Sequence, residues 1–208
     1  MQDTGKFRTN TKDQFYTRET IAKHCIDTLM ATLPESLQYV WLEPSAGNGS
    51  FLHNIPDSCE KIGMDIEPKS PDIVQQDYLN FQWSPRDKKV LVVGNPPFGR
   101  QSALAKAFIT KSCSFADVIA FILPKSFTKP SMSNAFDKYF HCIHSEEIEK
   151  NAFIINGLPH DVPCVFQIWQ KKTNIRNPEQ KILPIGFDYV KENYDIAFRR
   201  VGGLAGKR

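Results

Sequence analysis

The chain has 208 residues, enough for one domain with a sizeable core, and its 41% hydrophobic and 12% aromatic content is globular rather than disordered. Five scattered cysteines (Cys25, Cys59, Cys113, Cys142, Cys164), never spaced Cys-x-x-Cys, argue against a disulfide framework or a zinc site. They argue instead for reduced thiols in an intracellular, cytoplasmic setting. The longest apolar run, residues 118–123, is too short to cross a bilayer, and the polar N-terminus does not read as a secretory signal, so no membrane partner is expected.

The net charge of +3 is unevenly placed. Residues 170–208 hold nine Lys or Arg against four Asp or Glu, a balance of +5, which leaves −2 on the rest. A basic C-terminal segment suits approach to a phosphate backbone, although most charge runs are simply solvated surface.

In chain order, Ile21, Ala22, Cys25, Ile26 and Leu29 follow helical spacing and predict a helix from Thr17 or Glu19 to about Met30. Residues 39–42 read as a first strand, a short helix is expected over 50–54, and residues 61–66 read as a second strand. Residues 73–75 are a candidate third strand and residues 89–94 a fourth. A helix is expected over 103–111, a buried strand over 117–123 ended by Pro124, and a helix over 132–139. Two neighbouring strands, 142–148 and 164–170, are expected with a loop between them. Strands alternating with helices imply a mostly parallel sheet covered on both faces, with one antiparallel edge strand from the late pair.

Glu43-Pro-Ser-Ala-Gly-Asn-Gly-Ser-Phe follows the first strand, where Gly47 and Gly49 permit a tight turn and close backbone approach to a ligand. No third glycine and no Gly-Lys-Ser/Thr follows, so this is neither a dinucleotide fingerprint nor a phosphate loop. Alone, the loop reads by default as a plain turn. Asp65, at the end of the second strand, is the candidate acceptor for ribose hydroxyls, with Ile66 flanking a base and Glu67 as runner-up. Asp77 follows the third strand as a candidate acceptor for an amino group. Gly94-Asn-Pro-Pro-Phe98 ends the fourth strand abruptly, since proline donates no backbone hydrogen bond. It leaves an extended edge carrying an amide, a proline carbonyl and an aromatic face. A planar base with an exocyclic amino group would use all three; a strand-ending turn is the plain alternative.

The ordered set Asp13-Gln-Phe-Tyr-Thr17, residues 43–51, Asp65, Asp77, Asn95-Pro-Pro-Phe98 and Phe121-Ile-Leu-Pro-Lys-Ser-Phe127 resembles the S-adenosylmethionine-dependent N6-adenine methyltransferases. The motif order is similar to the gamma class of restriction-modification enzymes. The resemblance spans residues 13 to about 170 and implies a class I methyltransferase (Rossmann-like) fold with a seven-stranded sheet. It implies a catalytic domain over 1–170, followed by a basic extension, 171–208, that would be at most a rudimentary target-recognition segment. Phe15, Tyr16 and Thr17 would line the methionine end of S-adenosylmethionine. Glu43, Ala46 and Gly47 would surround its sulfonium and amino-acid portion, Asp65 and Ile66 its ribose and base, Asp77 its adenine amino group. Asn95 would bridge cofactor and target; Asn95 and the Pro96 carbonyl would accept from the target amino group, with Pro97 stiffening the motif and Phe98 stacking on the base. DNA is the first-choice substrate. RNA adenine, or a non-catalytic nucleic-acid-binding subunit of a heterodimer, is the alternative. A specificity subunit or a second copy would be the protein partner. No metal and no catalytic histidine is expected: His24, His53, His141, His144 and His160 read as surface or packing residues. Phe153 is a candidate second wall of the base pocket or a core aromatic.

Overall fold

The computed structural model describes residues 15–84, 87–177, 185–190 and 192–196. Asp13 and Gln14 of the first motif lie outside these residues, as does much of the basic C-terminal extension. The chain divides into two compact units, Met1–Asn177 and Pro178–Arg208. The first continues past residue 170 because Lys172 N donates to Tyr139 O and Arg176 N to Lys138 O, both near 2.9 Å.

A two-residue strand, β1 (Tyr16–Thr17), precedes α1 (Glu19–Thr32), whose buried stripe is the predicted set Ile21, Ala22, Cys25, Ile26 and Leu29. Leu33, at φ −135° and ψ 76° before Pro34, ends the helix, because a residue preceding proline avoids helical geometry. The strands β2 (Val40–Glu43), β3 (Glu60–Asp65), β4 (Val74–Gln75) and β5 (Val90–Gly94) follow, then α2 (Ala103–Cys113) and β6 (Val118–Pro124). The remainder is α3 (Pro130–Ser133), β7 (Phe140–Glu147), β8 (Phe153–Ile155), β9 (Leu158–His160) and β10 (Cys164–Lys171).

Seven strands form one sheet in the order β4-β3-β2-β5-β6-β10-β7. The pairings from β4 to β6 are parallel, and β10 runs antiparallel to both β6 and β7. The antiparallel pairings thus gather at the β7 edge, as expected, with the reversed strand itself one place in. Every residue of β2 and β5 is buried, which requires cover on both sheet faces and explains why these strands read as unbroken apolar runs.

Two expectations need correction. The helix predicted over 132–139 is only the four residues of α3, because Phe136 turns inward to stack on Trp169 at 4.0 Å and the Asp137 carboxylate accepts from Tyr139 N. The stretch 153–160 is not a loop but the hairpin β8–β9, turned at Asn156 and Gly157 with φ of 49° and 79°. Its first strand, β8, also pairs with β1 and so lies at the centre of a second, three-stranded sheet. Among the described residues no helix is long and apolar enough to cross a membrane.

Candidate active site

A cavity of about 590 Å³ opens at the carboxyl ends of β2, β3 and β5, and β1 lines it too. Phe15, Tyr16, Thr17, Glu43, Ala46, Gly47, Asp65, Ile66, Asp77, Asn95, Pro96, Pro97 and Phe98, drawn from widely separated parts of the sequence, all line it.

The glycine loop is held by its neighbours. Ala46 N donates to Met64 O at 3.0 Å and Gly47 N to Asp65 Oδ2 at 2.8 Å, so the loop is latched to the end of β3. Asp65 Oδ1 accepts from Glu67 N at 2.8 Å. Asp65 therefore braces two backbone turns and still has lone pairs facing the cavity rim. Gly47 adopts φ +53°, and a Cβ there would stand 3.1 Å from Tyr16 Cε1. Ser50 Oγ donates to Thr17 O at 2.8 Å, tying the loop to β1.

Glu43 is 2% exposed, and its Oε2 accepts from Leu52 N at 2.7 Å. Burial holds this carboxyl well above its ordinary value; the N–H groups of Leu52 and Phe51 oppose the shift, and Asp65 and Asp72 add to it. Asp77 caps the turn 78–80, accepting from Leu79 N at 2.9 Å and Asn80 Nδ2 at 2.7 Å. Ile66, 69% exposed, presents an apolar side chain to the opening.

Asn95 leaves the end of β5 with its backbone oxygen taken by Ser45 Oγ at 3.0 Å and its Nδ2 donating to Phe15 O at 3.2 Å. Its Oδ1 is buried and has no hydrogen-bond partner. Such an orphan acceptor in a cavity wall marks a place for a donor. Phe98 lines the same cavity but is only 8% exposed and belongs to the core cluster, so most of its ring is already covered by protein.

Sequence reasoning did not single out Leu79, Leu104 and Phe108, which complete the apolar wall near Asp77. Nothing local marks them: each reads as an ordinary helix or turn residue. Phe153 is fully buried and absent from the cavity lining, which makes it a core aromatic, with Phe15 edge-on to it at 6.3 Å. The histidines lie outside the cavity: His24 meets Glu146, His53 meets Asp72, His141 meets Asn174 O, His144 stands near Glu146 and His160 packs on Phe15. Among the described residues no group of His, Cys, Asp and Glu is placed to hold a metal ion.

The cavity thus combines an acidic half, formed by Asp65, Glu67 and Asp77 with the buried carboxyl of Glu43, with a half walled by Asn95, the two prolines and Phe98. The first suits a cationic ligand bearing hydroxyl and amino donors, and the second a flat group with an N–H to give.

No family model matches the chain, and no curated protein matches its sequence. Solved structures do share its fold. A Pyrococcus horikoshii protein assigned as an RNA methyltransferase superposes with a TM-score of 0.59 at 17% identity, covering 78% of this chain and 90% of its own. A Listeria monocytogenes protein assigned as a class I S-adenosylmethionine-dependent methyltransferase gives 0.59 at 14% identity, covering 86% and 67%. A Vibrio vulnificus protein assigned as the modification subunit of a type I restriction enzyme gives 0.56 at 13% identity, covering 78% and 46%. The seven-stranded sheet, its single reversed strand and these superpositions together give the chain the class I methyltransferase fold.

Proposed function

We propose that this protein transfers a methyl group from S-adenosylmethionine to the N6 amino group of adenine in DNA. The observation that carries the reading is the buried, unpartnered Oδ1 of Asn95, in the same cavity as the glycine loop. Tyr16, Glu43, Gly47, Asp65 and Asp77 would hold the cofactor, and the carboxyl groups among them suit a sulfonium and an ammonium group. When bound, that cofactor supplies an electrophilic methyl group on a positively charged sulfur.

The rest is work for the chain itself. The adenine N6 lone pair is delocalised into the ring and is a weak nucleophile. Asn95 Oδ1 and the Pro96 carbonyl would accept the two N6 hydrogens, favouring a pyramidal nitrogen and pushing density onto it. That is preorganised electrostatic stabilisation combined with positioning. Once methylated, N6 would be positive and acidic, so its extra proton would pass to water without a strong base, while Asn95 Oδ1 and the Pro96 carbonyl hold the amino group in place. The base must reach the pocket extruded or from a single strand, where Phe98 would pack on it. Target recognition would come from surface loops, the C-terminal segment or a partner subunit.

RNA adenine is the second reading, favoured by the likeness to the Pyrococcus protein assigned as an RNA methyltransferase, 90% of which is covered. Labelled methyl transfer to parallel DNA and RNA pools, followed by nucleoside analysis, separates the two. N6-methyladenine in DNA, lost in Asn95→Ala, is the expected result. Label in RNA alone would replace the substrate; label in neither pool, with cofactor bound, would point to a protein substrate or a missing partner subunit, and failure to bind S-adenosylmethionine would favour a non-catalytic nucleic-acid-binding role.

A further inference from the structure

In a parallel sheet every strand delivers its following loop to the same rim, so the charge on successive loops maps how that rim meets a ligand. Around this protein the map is sharply divided. The ends of β2 and β3 carry Glu43 and Asp65, and the loops after β3 and β4 carry Glu67, Asp72 and Asp77, with Lys69 paired to Glu67 at 2.9 Å. The segments after β5 and β6 are the opposite. Residues 95–116 and 118–136 contain no Asp or Glu at all; the intervening Asp117 sits at the far end of the sheet, accepting from Val90 N at 2.9 Å.

Four exposed cations stand on these two segments: Arg100, Lys106, Lys125 and Lys129. Lys125 is neutralised by Glu147 at 2.6 Å. Among the described residues Arg100, Lys106 and Lys129 have no acidic partner. Beyond β7 the rim is acidic again, where Glu149 faces Arg18 at 3.8 Å. The basic sector is therefore confined to the two strands that flank Asn95, the sector that the cofactor half does not use. The first turn of α2 adds no acid and no side-chain cap to this sector, so nothing there offsets the positive end of the helix dipole.

We infer that Arg100, Lys106 and Lys129 form a phosphodiester track that holds a nucleic-acid backbone across the mouth of the Asn95 pocket. The inference deepens the proposed function and rests on it for the direction in which the strand is presented. A cationic cofactor and a polyanionic substrate are then drawn to opposite halves of one rim. Charges so placed add affinity and on-rate without reading sequence, and they make binding salt-dependent.

The test is binding of fluorescent duplex DNA, single-stranded DNA and RNA oligonucleotides to the full chain, followed from about 50 to 200 mM salt. The triple variant Arg100→Gln/Lys106→Gln/Lys129→Gln is compared with Lys88→Gln/Lys89→Gln/Lys111→Gln. The control removes the same charge from the opposite end of the sheet. The expected result is that the first variant lowers the slope of log affinity against log salt by about three, and the control by much less. Which oligonucleotide shows the effect identifies the backbone. Equal losses in both variants, an unchanged slope in the first, or no binding by the wild type would overturn the track. Methyl transfer is scored separately. Salt-dependent binding lost in the triple variant, with no transfer to any pool, would leave the track standing and remove the proposed reaction. Transfer that persists in the triple variant with unchanged KM would do the reverse.

Discussion

Asn95 Nδ2 donates to Phe15 O at 3.2 Å across 80 residues of chain, and this bond decides which way the Asn95 amide faces. A backbone carbonyl only accepts, so the amide nitrogen must lie on it and Oδ1 must turn the other way. There Oδ1 is buried with no partner, a state that costs about 1–3 kcal/mol until a donor arrives. The strand end is thus set in advance for an N–H group by a residue of β1's approach.

Asn95→Asp tests that arrangement directly. The change puts a carboxylate oxygen against the Phe15 carbonyl and removes the only donor that orients the group. The expected outcome is a loss of about 10²-fold or more in single-turnover methyl transfer at saturating cofactor. A rate within about threefold of wild type would take Asn95 out of the chemistry.

Gly47→Ala should weaken cofactor binding as well as stability. Its φ of +53° costs a side-chain-bearing residue about 1 kcal/mol, and the new Cβ would press on Tyr16 Cε1 at 3.1 Å, in the wall of the cavity. Gly157→Ala is the matched control, with φ +79° and nothing within 4 Å of the new Cβ. Both variants should lose a few degrees in Tm, but only Gly47→Ala should lose affinity for S-adenosylhomocysteine by calorimetry. Equal affinities would show that the Tyr16 contact has no bearing on the site.

What the sequence disclosed, and what it hid, follows from the range of each signal. Gly47, Asp65 and Asn95 were legible because each ends a strand, and a strand end is marked by local chemistry: a glycine, an acid or a proline pair. Leu79, Leu104 and Phe108 were not, because a residue that packs across 25 positions leaves no trace in its own neighbourhood. The pairing of β1 with β8 joins Thr17 to Phe153 for the same reason, and it turns Phe153 from a pocket wall into core. The β8–β9 hairpin is a different case. Asn156-Gly157 is a strong turn signal, but three-residue strands are too short for an alternation to show. Asp77 carries both readings at once, since capping a turn uses one lone pair on each of its oxygens and leaves others.

Arg176 should be the fold's most sensitive surface cation. Its Nη1 donates to Asp137 O at 3.0 Å and Phe140 O at 2.6 Å, and its Nη2 to Ser133 O at 2.9 Å and Phe136 O at 3.2 Å. The guanidinium also lies 5.3 Å from the Trp169 ring centroid. A planar fork satisfies four carbonyls in a way an ammonium does not. Arg176→Lys and Arg176→Ala should therefore both cost about 2–3 kcal/mol in urea unfolding, with cofactor affinity unchanged. Full rescue by lysine would show that charge alone matters.

Glu43 joins the stability of the glycine loop to the charge of its ligand. Burial is the main cause that raises its carboxyl above the ordinary 4.5, so the folded protein holds this proton more tightly than the unfolded chain. Stability is then fully present below pH 4.5 and falls as pH rises through the raised folded value. Glu43→Gln keeps an oxygen for Leu52 N but does not titrate, so its Tm should stay flatter above pH 4.5 and exceed wild type at neutral pH. The same substitution should cost function. An ionised Glu43 favours a sulfonium over a neutral thioether, so wild-type preference for S-adenosylmethionine over S-adenosylhomocysteine should grow with pH, and that of the variant should not. Calorimetry of both ligands across pH 5 to 8 measures this, a range in which carboxylates of ordinary value are already charged. Parallel trends in the two proteins would place Glu43 in the scaffold of the loop alone, acting through Leu52 and not on the ligand.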